Sequence, residues 1–223
     1  MSERDYFTGL DSEDAERVLT FIESMDRGLP LFLAQMEAAA LEENVPVIRT
    51  QTQSLIRFFL AAARPERILE VGTATGFSAL FMNHYAPQAK ITTIEKDPAR
   101  AKAARQAFEG NSSILLIEGD ASEALHKLAQ DREQFDFILM DAAKGQYIHY
   151  LADVMEILAP RGIMISDDIF MEGEILQSRF SVKRRDRTIH KRMREYIEAL
   201  TGDPRLETIL LQEGDGTAVS LRI

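Results

Sequence analysis

With 223 residues, a formal net charge of −10 and no cysteine, the chain has room for one α/β domain but cannot form a disulfide framework or a thiolate metal site. Its 45% hydrophobic content is that of an ordinary globular protein, and no apolar run approaches the length of a membrane span. The acidic balance argues against broad non-specific nucleic-acid binding and leaves a local basic surface open.

The N-terminus, Met1-Ser-Glu-Arg-Asp, is polar and not signal-like, which predicts a cytoplasmic protein without a membrane partner. Asp11-Ser12-Glu13-Asp14 reads as a helix start. The helix that follows carries Val18, Phe21, Ile22 and Met25 on one face and ends near Gly28. Pro30 suits the first turn of a second helix, running to about Glu43. Asn44-Val45-Pro46-Val47 is a break, and a third helix runs from about Thr50 to Ala63. These helices make an N-terminal cap over 1–50, and the α/β core occupies 51–223 of a single domain.

From Arg67 the chain alternates between strand and helix patterns. Strands are expected at 67–71, 90–95, 113–118, 135–140 and 162–166. Helices are expected at 76–85, from Pro98 to about Phe108, from Ala121 to about Ala129, and at 146–158. Short apolar strands separated by helices imply a buried, mostly parallel sheet with helices on both faces. The tail differs: 206–211, Glu213-Gly-Asp-Gly216 and 217–221 read as an antiparallel hairpin that closes the sheet edge.

The first strand runs into Gly72-Thr-Ala-Thr-Gly76, a small-residue turn followed by a helix. That is the opening of a nucleotide-binding unit, in which helix N–H groups face a ligand. Ala74 stands where a dinucleotide fold would carry its second glycine, which speaks against a nicotinamide-dependent oxidoreductase. Ligands of open α/β sheets bind beyond the carboxyl ends of the strands. Acids stand at or near that end in strand after strand: Glu70, Glu95, Asp120, Asp141, Asp167 and Asp168. Helix capping accounts for one such acid alone. Glu95 lies about twenty residues past the glycine turn, where an acid accepts hydrogen bonds from ribose hydroxyls.

If the fourth and fifth strands are neighbours, Asp141, Asp167 and Asp168 converge and repel one another unless a cation joins them. An oxygen-only set suits Mg²⁺, Mn²⁺ or Ca²⁺ rather than zinc. Lys144 stands three residues after Asp141, as a general base, a salt-bridge partner or both. Between Lys183 and Arg194 the chain is basic, with Lys183, Arg184, Arg185 and Arg187 leading. Ile189, Met193, Tyr196 and Ile197 mark a buried helical face there. Arg187, Lys191 and Arg194 share an exposed one, a candidate contact for RNA phosphates.

Glu70-Val-Gly-Thr-Ala-Thr-Gly-Phe-Ser78, Glu95, Gly119-Asp120-Ala121, Asp141-Ala-Ala-Lys-Gly-Gln-Tyr147 and Asp167-Asp168 together resemble the cation-dependent class I O-methyltransferases. That group includes the catechol and caffeoyl-CoA enzymes. Within it, the Asp141–Tyr147 run, the basic run and the closing Gly214-Asp-Gly-Thr-Ala-Val-Ser220 look like the bacterial tRNA 5-hydroxyuridine methyltransferases.

The resemblance implies a Rossmann-like sheet and S-adenosylmethionine as cofactor. It implies that Glu70, Gly72, Thr73, Gly76 and Ser78 hold the methionine side of the cofactor, and that Val47 also contacts the cofactor. Glu95 would take the ribose, Asp120 and Ala121 the adenine, and Asp141 the cofactor amine. Asp141, Asp167 and Asp168 would bind the cation, with Lys144 assisting deprotonation of the acceptor. It also implies a homodimer acting on tRNA, with a small catechol-like acceptor as the alternative. The family usually carries Asn where this chain has Asp168.

Overall fold

A computed structural model describes residues 12–43, 45–171, 173–178, 180–212 and 214–223. Asp11, Asn44 and Glu213, expected at a helix start, a break and a turn, lie outside the described residues, as do the side chains of Ser12 and Glu13. The cap is α1 (Ser12–Ser24), α2 (Leu31–Glu42) and α3 (Thr50–Ala63). The alternating body is β1 (Arg67–Val71), α4 (Phe77–Tyr85), β2 (Lys90–Glu95), α5 (Pro98–Ala107), β3 (Ile114–Glu118), α6 (Ala121–Gln130), β4 (Phe135–Met140), α7 (Tyr147–Ile157) and β5 (Leu158–Ser166). It ends with α8 (Arg187–Gly202), β6 (Leu206–Leu211) and β7 (Thr217–Arg222). No helix among the described residues is long and apolar enough to cross a membrane.

The seven strands form one sheet in the order β3-β2-β1-β4-β5-β7-β6. Pairs among β1 to β5 are parallel, and β7 runs antiparallel to both β5 and β6. Strand order reverses between β1 and β4, and the crevice at their carboxyl ends is where such a fold binds ligands. Period-two alternation sends successive side chains to opposite faces. Ile138 and Met140 therefore join the core under α6, α7 and α8, while Phe137 and Leu139 join the core under α2, α3, α4 and α5. Tyr147 and Tyr196, both fully buried, meet edge to face at 5.3 Å in the first core, which joins α7 to α8.

Two expectations change, at β5 and α8, and the direction of the α1 face is settled. β5 starts at Leu158 rather than 162, because Pro160-Arg161-Gly162 bulges without ending the pairing: Phe135 partners Leu158, Phe137 partners Ile163, and Arg161 sits at φ 66°. The apolar stripe of α1 faces outward, with Val18, Phe21, Ile22 and Met25 all 45–64% exposed. Polar contacts instead tie this part of the cap down, from Glu23 to Gln51 and from Asp26 to Ser54 and Arg57. On α8 the buried line is His190, Met193, Tyr196 and Leu200, and Ile189 lies at its edge.

Candidate active site

The carboxyl ends of β1 and β4 meet through a glycine. Gly72 has φ 105°, and a β-carbon there would overlap the Asp141 carbonyl oxygen. Its neighbours are locked by hydroxyls: Thr73 reaches Thr93 at 2.5 Å, and Thr93 donates to Glu70 at 2.5 Å. Glu70 is fully buried behind the turn, and its Oε1 has no hydrogen-bond partner among the described residues. Burial, assisted by the charge of Glu95, pushes the Glu70 carboxyl up to about 7, partly offset by the Ser78 and Thr93 hydroxyls.

A cleft of about 830 Å³ opens in front of this turn. Gly72, Thr73 and Ser78 line one wall, and Val47, from the segment before α3, lines another. Glu95, Asp120 and Ala121 line the far end. Glu95 already accepts from the Ala74 and Asp97 amides, at 2.9 and 2.8 Å, and Asp120 caps α6 by accepting from Ser122 at 2.9 Å. Two expected cofactor contacts are not on the wall. Glu70 stands behind the turn, and Gly76 is the left-handed start of α4, where a β-carbon would strike the Phe108 ring at 2.7 Å.

Asp141, Lys144, Asp167 and Asp168 line the near end of the cleft, as the adjacency of β4 and β5 requires. The buried Tyr147 hydroxyl ties this corner together. It donates to the Met140 carbonyl at 3.0 Å and accepts from the Ala142 amide at 3.1 Å. Met140 also accepts from the Asp167 amide at 3.0 Å, so one carbonyl fixes the ends of both strands. Thr52 and Thr217 donate to Asp167 Oδ1 at 3.1 and 3.2 Å. Neither threonine has a motif of its own in the sequence; only the closing Gly-Asp-Gly-Thr run hinted at Thr217. Gly216 seats the hairpin turn on the Phe170 ring, which leaves no room there for a β-carbon.

Burial pushes the Asp141 carboxyl up to about 7, and the charges of Asp167, Asp168 and Glu70 add to it while Lys144 opposes them. Burial and Asp168 raise Asp167 as well, against the two threonines. Asp168 occupies a left-handed turn position at φ 57°, and its carboxylate accepts from Lys144 Nζ at 2.5 Å. Here the geometry departs from the expected convergence. Among the described residues no three acidic or histidine side chains are grouped to hold an ion, and Asp168 pairs with Lys144.

The basic run divides in two. Lys183, Arg184 and Arg185 are exposed on the segment that leads from β5 to α8, beyond the cleft wall, with Phe180 84% exposed beside them. Arg187, expected on an exposed face, is half-buried and donates to the Val182 and Phe180 carbonyls, each at 3.0 Å. Arg194 donates to Ile175 O at 3.1 Å, and Lys191 pairs with Glu195 at 3.3 Å.

The family model described as O-methyltransferase matches residues 28–223. The chain belongs to the O-methyltransferase family. This O-methyltransferase is 36% identical over 129 residues to O-methyltransferase ankF of Aspergillus thermomutatus, a match covering 54% of this chain and 53% of that one. It is 25% identical over 142 residues to a catechol O-methyltransferase of Niastella koreensis, covering 60% of this chain and 64% of the relative. The SAH-bound crystal structure of the Podospora anserina methyltransferase PaMTH1 superposes with a TM-score of 0.81 at 25% identity, covering 95% of this chain and 96% of the other.

Proposed function

We propose that this O-methyltransferase moves a methyl group from S-adenosylmethionine to an acidic hydroxyl, and that the acceptor is 5-hydroxyuridine in tRNA. The observation that carries the acceptor half is the exposed group of Lys183, Arg184, Arg185 and Phe180, on the segment that follows Asp168 directly in an otherwise acidic chain. Cations there suit phosphates, and an exposed ring suits an unstacked base. The cofactor half rests on the glycine turn, the acids beyond the strand ends and the SAH held by the Podospora relative.

In this reading Glu95 accepts from the ribose hydroxyls and the turn at Gly72 lets the backbone come close to the methionine part. The acceptor hydroxyl gives its proton to Lys144 Nζ in its neutral form, reached when the ion pair with Asp168 opens and the ammonium has released its own proton to solvent. Its oxygen takes the methyl carbon as the carbon–sulfur bond breaks, and S-adenosylhomocysteine leaves. Cleft walls hold the two reactants in line and keep water out. Asp168 keeps the Lys144 amine at the mouth of the cleft.

A divalent cation fits the donor chemistry of this corner, since burial raises both Asp141 and Asp167, the charges of Asp167 and Asp168 raise Asp141 further, and carboxylate oxygens are hard donors. Asp141 and Asp167 would hold it, with Asp168 joining on release from Lys144. Bound there, Mg²⁺ supplies Lewis acidity that lowers the acceptor pKa.

The test is to give the protein labelled S-adenosylmethionine and Mg²⁺ with tRNA bearing 5-hydroxyuridine and, in parallel, with catechols. Label in the tRNA that disappears with a chelator is the expected result. Label in catechols alone overturns the tRNA reading, as the Niastella relative's name would favour. Label in neither overturns both.

A further inference from the structure

The catalytic turn and α8 are joined by contacts that the proposed chemistry leaves unused. Lys144 begins a single 3₁₀ turn, Lys144–Gln146, and so short a turn has little stability of its own. Its position is therefore set from outside. At one end, Tyr147 fixes the Ala142 amide. At the middle, the Gly145 carbonyl accepts from Arg192 Nη1 at 3.1 Å, a contact between residues 47 positions apart. Gly145 is buried against the same helix: a β-carbon there would meet Ile189 Cγ1 at 3.3 Å. α8 thus grips the turn by a charged hydrogen bond and by close packing, both at the residue next to Lys144.

The guanidinium belongs to the basic run between Lys183 and Arg194, yet it is half-buried and donates to a backbone carbonyl. A phosphate-binding arginine would leave its donors in solvent. We propose that Arg192 is a positioning residue for methyl transfer: it holds the Gly145 carbonyl and so sets where the Lys144 amine stands at the cleft. This rests on Lys144 being the proton acceptor in the reading above. The physical basis is leverage. The lysine stem is flexible, so its amine is placed only if its own backbone is fixed and Asp168 captures its end. A small displacement of a reacting group lowers rate far more than it lowers binding of the cofactor, which contacts other walls.

The experiment compares Arg192→Met, Arg192→Lys and Lys144→Met in the full chain. It uses whichever acceptor the wild type methylates. Methionine keeps the apolar stem but loses the donors; lysine restores one donor. Loss of one charged hydrogen bond predicts a kcat about tenfold lower in Arg192→Met. KM for S-adenosylmethionine is expected within about twofold of wild type, because uniform binding is untouched. Arg192→Lys is expected to recover most of kcat. Without any ligand, amide exchange at residues 144–147 is expected to be faster in Arg192→Met, with the rest of the sheet unchanged. An Arg192→Met enzyme with wild-type kcat overturns the inference and leaves the Lys144 reading standing, provided Lys144→Met is inactive. Equal losses in the Met and Lys variants, with the whole sheet exchanging faster, also overturn it, since that is global destabilisation. Full activity in Lys144→Met removes the reading on which the inference rests.

Discussion

The carbonyl oxygen of Asp141 occupies the space that a β-carbon on Gly72 would need. The ends of β1 and β4 can lie this close only because position 72 has no side chain, and its φ of 105° is one that glycine accepts without strain. Gly72→Ala must part the two strand ends. The expected loss is roughly 2–4 kcal/mol of unfolding free energy, read from urea midpoints. Cofactor affinity, read by titration calorimetry, is expected to fall at least tenfold. A variant as stable as wild type would show that the two ends are free to separate.

Asp167 is fixed by hydroxyls from α3 and β7. Thr217→Val keeps the shape and removes one donor to a buried carboxylate. The expected cost is about 1–2 kcal/mol in ligand-free unfolding, and a lower kcat. Thr217→Ser, which keeps the hydroxyl, is expected to lie close to wild type. If valine and serine behave alike, the hydroxyl contributes nothing.

Glu70 makes stability depend on pH in an unusual direction. Its carboxyl titrates at about 7 in the folded chain against an ordinary 4.5. Folding therefore tightens its hold on a proton. Its contribution is complete below the unfolded value, diminishes as pH rises, and is gone above the folded one. Glu70→Gln has no such proton and can still accept from Thr93. Its stability relative to wild type is expected to improve by on the order of 3 kcal/mol between pH 4.5 and 8. Urea unfolding at both pH values, without cofactor or cation, checks this. A difference that stays constant with pH means that Glu70 is already ionised in the folded state.

The two halves of the basic run are expected to behave differently. Replacing Lys183, Arg184 and Arg185 with alanine is expected to lower the slope of log affinity against log salt for tRNA by about 2 to 3, at roughly 0.7 to 0.9 per phosphate contact. Arg187→Ala is expected to leave that slope unchanged. It instead releases the Val182 and Phe180 carbonyls, seen as faster exchange of the neighbouring amides. A salt slope that falls by one in Arg187→Ala would put its guanidinium on a phosphate after all.

By itself the sequence determined the order of strands and helices, the glycine turn, the acids at the strand ends and the closing hairpin. These are local properties. Apolar periods of 2 and 3.6 and a small-residue turn after a strand can be read from neighbours in the chain. Only the tertiary structure decided which of those residues face the cleft. Glu70 and Gly76 belong to the same motif as Gly72 but stand behind it, because Thr93 and Phe108, far along the chain, occupy the space around them. Thr52 reaches Asp167 across 115 positions, and no local pattern encodes such a pair. Periodicity placed an apolar stripe on α1 without saying that it faces outward, and marked basic residues on α8 without saying which turn inward. An arginine on a helix looks the same in sequence whether its partner is solvent or a backbone carbonyl, and only the packing of α8 against the Lys144 turn settles it.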